Sequence, residues 1–177
     1  MNDLIQNPYL KVRQPAQPQG EMVLSCADIV ADATLSNDYV ANIWGYVGNN
    51  ISPELRWENA PKQTKSFVLT MYDPDAPTGS GFWHWNVFNI PADWRGLPKG
   101  KSNDFGDDVM ELKNDAGLDG FIGAFPPQGD KPHRYIFTLY ALNEMLDLPN
   151  DISPAVLGFN LNGKVLATAS LTAYYHW

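Results

Sequence analysis

Apolar residues along this chain fall in short runs of alternating or continuous hydrophobicity, broken by polar, proline and glycine positions, and the helical period is rare. The pattern is organised around residues 66 to 91, where Phe67 to Tyr72 and Phe82 to Ile90 read as strands flanking a loop with Asp73, Asp75, Pro74 and Pro77. Further strands are predicted over Met22 to Ile29, Tyr39 to Val47, Leu55 to Trp57, 134 to 142 and Val165 to Tyr175. A single helix is predicted near 154 to 162, with Ser153 as its N-cap, Pro154 in its first turn and Gly163 past its end. Pro8, Pro15 and Pro18 make residues 1–19 an extended arm, leaving 20–177 as one domain.

Face assignments turn this pattern into candidate chemistry. Pro74 holds Asp73 extended, so Asp73 and Asp75 are expected to leave the same face. On the return strand, alternation puts His84, Asn86, Phe88 and Ile90 on one face and Trp83, Trp85 and Val87 on the other. In the later strand His133 and Tyr135 share a face that excludes Arg134. Polar groups thus gather where apolar strands end. Each also has a plain structural role open to it: Asp-Pro and Pro-Thr-Gly are common turn chemistry, and a buried Arg134 beside an Asp is read as a structural ion pair.

Composition narrows the function classes. The 177 residues are 44% hydrophobic and 12% aromatic, enough for a packed core. A formal net charge of -8 disfavours nucleic acid and anionic membrane surfaces as partners. The single cysteine, Cys26, excludes an intrachain disulfide and a thiolate metal cluster. Met1 to Leu10 lacks the pattern of a secretory signal and no run reaches the roughly 18 apolar residues of a membrane span, so a cytoplasmic location is expected.

Residues 92 to 120 break the strand pattern and carry Asp104, Asp107, Asp108, Glu111, Asp115 and Asp119. Their spacing lacks the alternating ligands of a calcium loop, so they read as a solvated excursion, with residues 100 to 120 as the most mobile internal segment. Asp104-Phe105-Gly106 matches a kinase metal-binding triplet without any of the motifs that accompany it.

Taken in order, Ser52-Pro53-Glu54-Leu55-Arg56-Trp57, Asp73-Pro74-Asp75-Ala76-Pro77, His84-Trp85 with Ile90-Pro91, and Gly123, Pro126-Pro127, Gly129 and His133-Arg134-Tyr135 resemble the phosphatidylethanolamine-binding protein family. The resemblance is closest to its bacterial branch similar to Raf kinase inhibitor protein. It implies a mainly β fold, a two-sheet β-sandwich with few short helices. It also implies a pocket for a small anionic or phosphate-bearing ligand at Asp73, Asp75, Pro77, His84, His133 and Tyr135, and a cis peptide at Ala76-Pro77. No cofactor, resident metal or catalytic residue is implied. The partners implied are that ligand and a kinase or protease, with a homodimer compatible and no nucleic acid or integral membrane segment. Phe121 and Ala124 depart from the Tyr and Pro of many eukaryotic members, and the acidic segment has no obvious counterpart.

Chemistry read from the residues agrees with an anion pocket. Histidines beside carboxylates are held more readily as cations, and a charged imidazole donates well to phosphate, so affinity should weaken as pH rises through the histidine range. Three alternatives use the same chain differently. The His and Asp groups suit general acid-base hydrolysis, although no G-x-S-x-G elbow supplies a nucleophile. His84, His133 and an Asp would also suit zinc, without a recognised ligand spacing. The fourth reading is a protein inhibitor acting through its surface.

Overall fold

A computed structural model describes residues 21–177, and the arm expected over 1–19 lies outside the described residues. Among the described residues eight strands form two sheets: β1 (Val23–Ser25), β2 (Leu55–Glu58), β3 (Ser66–Asp73), β4 (Phe82–Pro91), β5 (Gly96–Leu97), β6 (Met110–Glu111), β7 (His133–Leu142) and β8 (Val165–Tyr175). The smaller sheet runs β1-β2-β5 and the larger β6-β4-β3-β7-β8, with antiparallel neighbours throughout. This is the mainly β, two-sheet architecture expected from the sequence. β3, β4 and β7 are buried on both faces, which explains their near-continuous apolar runs.

The main core lies between the sheets, where Leu24, Leu55 and Trp57 meet Phe67, Leu69, Met71, Trp85, Phe137 and Leu139. A second cluster covers the outer face of the larger sheet, with Leu157 and Leu161 packed near Val68, Phe88, Leu112 and Tyr140. Leu157 belongs to the one described α-helix, α1 (Pro154–Asn160). Its start follows the sequence expectation: Ser153 caps it by accepting from the Val156 amide, and Pro154 occupies the first turn.

Three expectations are corrected. Tyr39 to Val47 is not a strand. A 3-10 turn over Asn37–Tyr39 leads into irregular chain, because Trp44 (φ 54) and Gly45 (φ 91) turn left-handed and no extended run survives them. The segment is held by other means: Ala41 donates to the Ala124 carbonyl and Ala124 to that of Tyr39, a close approach a side chain on Gly123 would block.

The strict alternation expected of β4 is the second correction. Its register against β3 shifts twice, between Phe67 and Leu69 and between Met71 and Tyr72. Tyr72 pairs with Trp83 and Met71 with Trp85, so His84 is the extra residue of a bulge. Trp83 therefore stacks on Tyr72, away from Trp85, which lies in the main core. Across the other shift, where Asn89 is left-handed (φ 58), Ile90 joins Trp85 and Val87 in that core while Phe88 faces the outer cluster.

The acidic excursion is also not the loose loop expected. Glu111 accepts from the Trp85 indole at 2.7 Å, from the Ser102 hydroxyl at 2.7 Å and from the Asn103 amide. Phe105 packs against Trp85 and Trp94, and Asn114 is buried with its side chain bonded to the Gly120 carbonyl. Such ties hold a segment against local opening.

Candidate functional site

At one end of the larger sheet a cavity of about 240 Å³ is walled by Tyr46, Pro77, Phe82, Phe125, Pro126 and Pro127, with Asp73, His84, His133 and Tyr135 also lining it. β3 delivers Asp73 at its last residue, β4 delivers His84 from the bulge, and β7 delivers His133 and Tyr135 from its first turns of alternation. Asp73, His84 and His133 are each only 2% exposed, so the cavity floor is a desolvated polar cluster.

Asp73 divides its two oxygens between roles. Oδ1 accepts from the Asp75 amide at 2.8 Å and the Ala76 amide at 3.0 Å, the turn chemistry of an Asx residue. Oδ2 lies 2.7 Å from Nδ1 of His133. Burial raises the Asp73 carboxyl above its ordinary value, against the lowering effect of the His133 hydrogen bond. The other His133 nitrogen, Nε2, sits 3.2 Å from the Asp130 carboxylate.

His84 is different. Nδ1 lies 3.0 Å from the Ile122 carbonyl, which fixes it as the donor, and its ring packs among Phe82, Phe125 and Tyr135. Complete burial pushes its pKa down to about 4, so it is neutral near pH 7. The expectation of two charged histidines is thereby corrected, because His84 faces apolar rings and a carbonyl rather than the carboxylates. The Tyr135 O–H is buried with no acceptor, the Phe125 backbone approaching only its oxygen, which leaves a donor unspent at the floor.

Of the six residues expected at the site, five come together: Asp73, Pro77, His84, His133 and Tyr135. Asp75 does not. The Asx turn at Asp73 bends the chain, so the extended spacing that would align the two carboxylates is lost. Asp75 instead receives the Arg134 backbone amide at 2.9 Å and the Arg134 guanidinium at 2.8 and 2.9 Å. The structural pair expected for Arg134 is this one. Burial alone would raise the Asp75 carboxyl, but the Arg134 hydrogen bonds outweigh it and hold it below its ordinary value.

The Ala76–Pro77 peptide is trans, contrary to the expectation of a cis bond. The loop reverses direction through the Asp73 turn and through Thr78, whose amide donates to the Ala76 carbonyl at 2.7 Å. Nor is a metal centre assembled: among the described residues no group of three or more His, Cys, Asp or Glu side chains is placed to hold an ion. His84 and His133 each spend Nδ1 on a protein acceptor.

Sequence reasoning missed Tyr46, Phe82, Phe125 and Asp130. Tyr46 and Phe125 stand on irregular segments where no period places a side chain, and Tyr46 reaches the site by donating to the Pro126 carbonyl. Asp130 was nearer to recognition, since it shares the rigid Pro127–Gly129 turn that precedes His133.

The family described as phosphatidylethanolamine-binding protein matches residues 6–176, and the chain belongs to it. UPF0098 protein YbhB of Escherichia coli strain K12 is 48% identical over 158 residues, covering 87% of this chain and 99% of that protein. UPF0098 protein YbcL of the same strain is 43% identical over 153 residues, covering 84% of each. The crystal structure of E. coli YbcL, described as a new member of the mammalian PEBP family, is similar with a TM-score of 0.85 and 41% identity, covering 89% of this chain and 99% of that one. A PEBP homolog from Chlamydia trachomatis has a TM-score of 0.76 at 28% identity, covering 88% of this chain and 97% of its own. No described helix is long and apolar enough to cross a membrane.

Proposed function

We propose that this protein is a binding protein that takes a small phosphate-bearing or anionic group into the cavity between His84, His133 and Tyr135. The observation that carries the proposal is a polar floor with an unpartnered Tyr135 hydroxyl, enclosed by aromatic and proline walls. Pockets of this kind combine an apolar lining with a few oriented polar groups, and they hold the tip of a ligand. The Tyr135 hydroxyl supplies one donor, and Nε2 of His133, oriented by the Asp73 bond at Nδ1, supplies a second where the ligand takes the place of the Asp130 carboxylate. The apolar walls suit a ligand whose charged group carries a short organic body.

A regulatory role toward a kinase or protease would be exerted through this ligand or the surface around it. The hydrolase alternative draws on the same Asp73–His133 pair, and release of product from phosphate esters would reveal it.

Calorimetry with phosphate and phosphoethanolamine, beside thermal melts, tests the binding role. His133→Ala should weaken affinity by roughly 1.5–3 kcal/mol, the scale of a charge-assisted hydrogen bond. Tyr135→Phe should weaken it less, by about 1 kcal/mol, with little change in stability because its O–H has no internal acceptor. Unchanged affinity in both variants would overturn the assignment.

A further inference from the structure

His133 is held between two carboxylates of unequal standing. Asp73 is buried and meets Nδ1 at 2.7 Å, whereas the Asp130 side chain is 42% exposed and meets Nε2 at 3.2 Å. Carboxylates only accept, so a ring bonded at both nitrogens donates from both. The Nδ1 contact is fixed, because the other Asp73 oxygen also closes the loop through the Asp75 and Ala76 amides.

Nothing comparable fixes Asp130. Its carboxylate has no second hydrogen-bond donor among the described residues. Residues 127–132 are all exposed, and their turn is held by backbone bonds, from the Asp130 amide to the Pro127 carbonyl at 3.2 Å and from the Gly129 amide to the Trp177 carbonyl at 3.4 Å. The Asp130 side chain can rotate into solvent without breaking either, as exposed side chains do within nanoseconds.

The donor that Asp130 covers is one that an anionic ligand in the cavity would use. His133 and Tyr135 lie two apart on β7 and both line the cavity, so a phosphate group there has two donors to reach. Asp130 satisfies one of them and leaves the Tyr135 O–H without an acceptor. A phosphate group, with three acceptor oxygens, can serve both.

Given the anion-binding role proposed above, we infer that Asp130 is an internal competitor at that site: its carboxylate and the phosphate group of a ligand take Nε2 of His133 in turn, and the carboxylate swings into solvent when the phosphate binds. Affinity is then lowered according to the fraction of time Nε2 is free of Asp130. Whatever neutralises Asp130 or draws it outward strengthens binding, so the exposed turn over 127–130 regulates the site from outside.

Calorimetry with inorganic phosphate on the full chain, wild type beside Asp130→Asn, tests this. The variant keeps the side chain's size and loses its charge, and should bind phosphate about three- to tenfold more tightly with little change in the melt. In 15N spectra the Nε2 resonance of His133 should move on the substitution and, in the wild type, on addition of phosphate. A resonance indifferent to Asp130→Asn means that the contact is not made in solution, and overturns the inference. Equal or weaker phosphate binding by Asp130→Asn, with the wild type still binding, overturns it and leaves the binding role standing. So does an equal gain from Asp151→Asn, which removes the same charge from the turn before α1 and would make the effect one of net charge. Binding by neither wild type nor Asp130→Asn overturns the binding role and the inference together.

Discussion

Asp73 and Asp75 leave one loop two positions apart and end in opposite surroundings. Asp73 turns inward, 2.7 Å from a buried His133, and its other oxygen closes the turn. Asp75 turns away from the cavity to Arg134, with its own side chain 8% exposed and that of Arg134 26%. Burial dominates the first carboxyl and raises it, whereas the guanidinium dominates the second and lowers it. A repeated residue type thus says little about role until the turn between the two is known. The inner pair belongs to the cavity, and the outer pair braces the loop that carries it.

Loss of the inner carboxylate should have the largest effect. Asp73→Ala leaves a buried imidazole without its partner and two loop amides without an acceptor, and should cost about 3–5 kcal/mol in chemical denaturation. Acid should have the next largest. His84 has a folded pKa of about 4, below the ordinary histidine value of 6.5. Between those values the unfolded chain binds more protons, so stability falls as pH falls through that window, by up to about 3 kcal/mol. Denaturation measured across the range should show the slope in wild type, and a folded His84→Gln variant should lack that component.

The outer pair should matter least. Asp75→Ala takes the acceptor from the Arg134 amide and from a partly exposed guanidinium, and should cost about 1–2 kcal/mol while phosphate affinity holds within a factor of a few. If Asp75→Ala proved as costly as Asp73→Ala, the division into inner and outer carboxylates would fail.

Much of the fold was legible because strands buried on both faces leave long apolar runs, as in β3, β4 and β7, and because the Ser153-Pro154 signature marks a helix start. β8 was read with its observed ends. The site was legible where it sits on regular strands: His133 and Tyr135 share a face as a two-residue period requires. It was obscured where the period slips. The bulge at His84 and the left-handed Asn89 moved residues between faces, and the Asx turn separated Asp75 from Asp73. Tyr46 and Phe125 lie on chain whose course depends on contacts with distant segments, such as the bonds between Tyr39, Ala41 and Ala124. The pinned acidic excursion escaped for a similar reason, since Glu111 is recognisable as an anchor only when Trp85, Ser102 and Asn103 are near it.

Glu111 reaches further than its own loop. It holds Ser102, whose hydroxyl receives the Phe121 amide at 2.9 Å, and the next residue, Ile122, meets His84 in both directions, amide to carbonyl at 3.1 Å and carbonyl to Nδ1 at 3.0 Å. With the proton of the neutral ring committed to Nδ1, Nε2 carries a lone pair. Since His84 lines the cavity, that nitrogen would offer an acceptor to a ligand there, beside the Tyr135 donor. Under the proposed binding role a phosphate ester bearing one P–OH would satisfy that acceptor, whereas the dianion would set a lone pair against it.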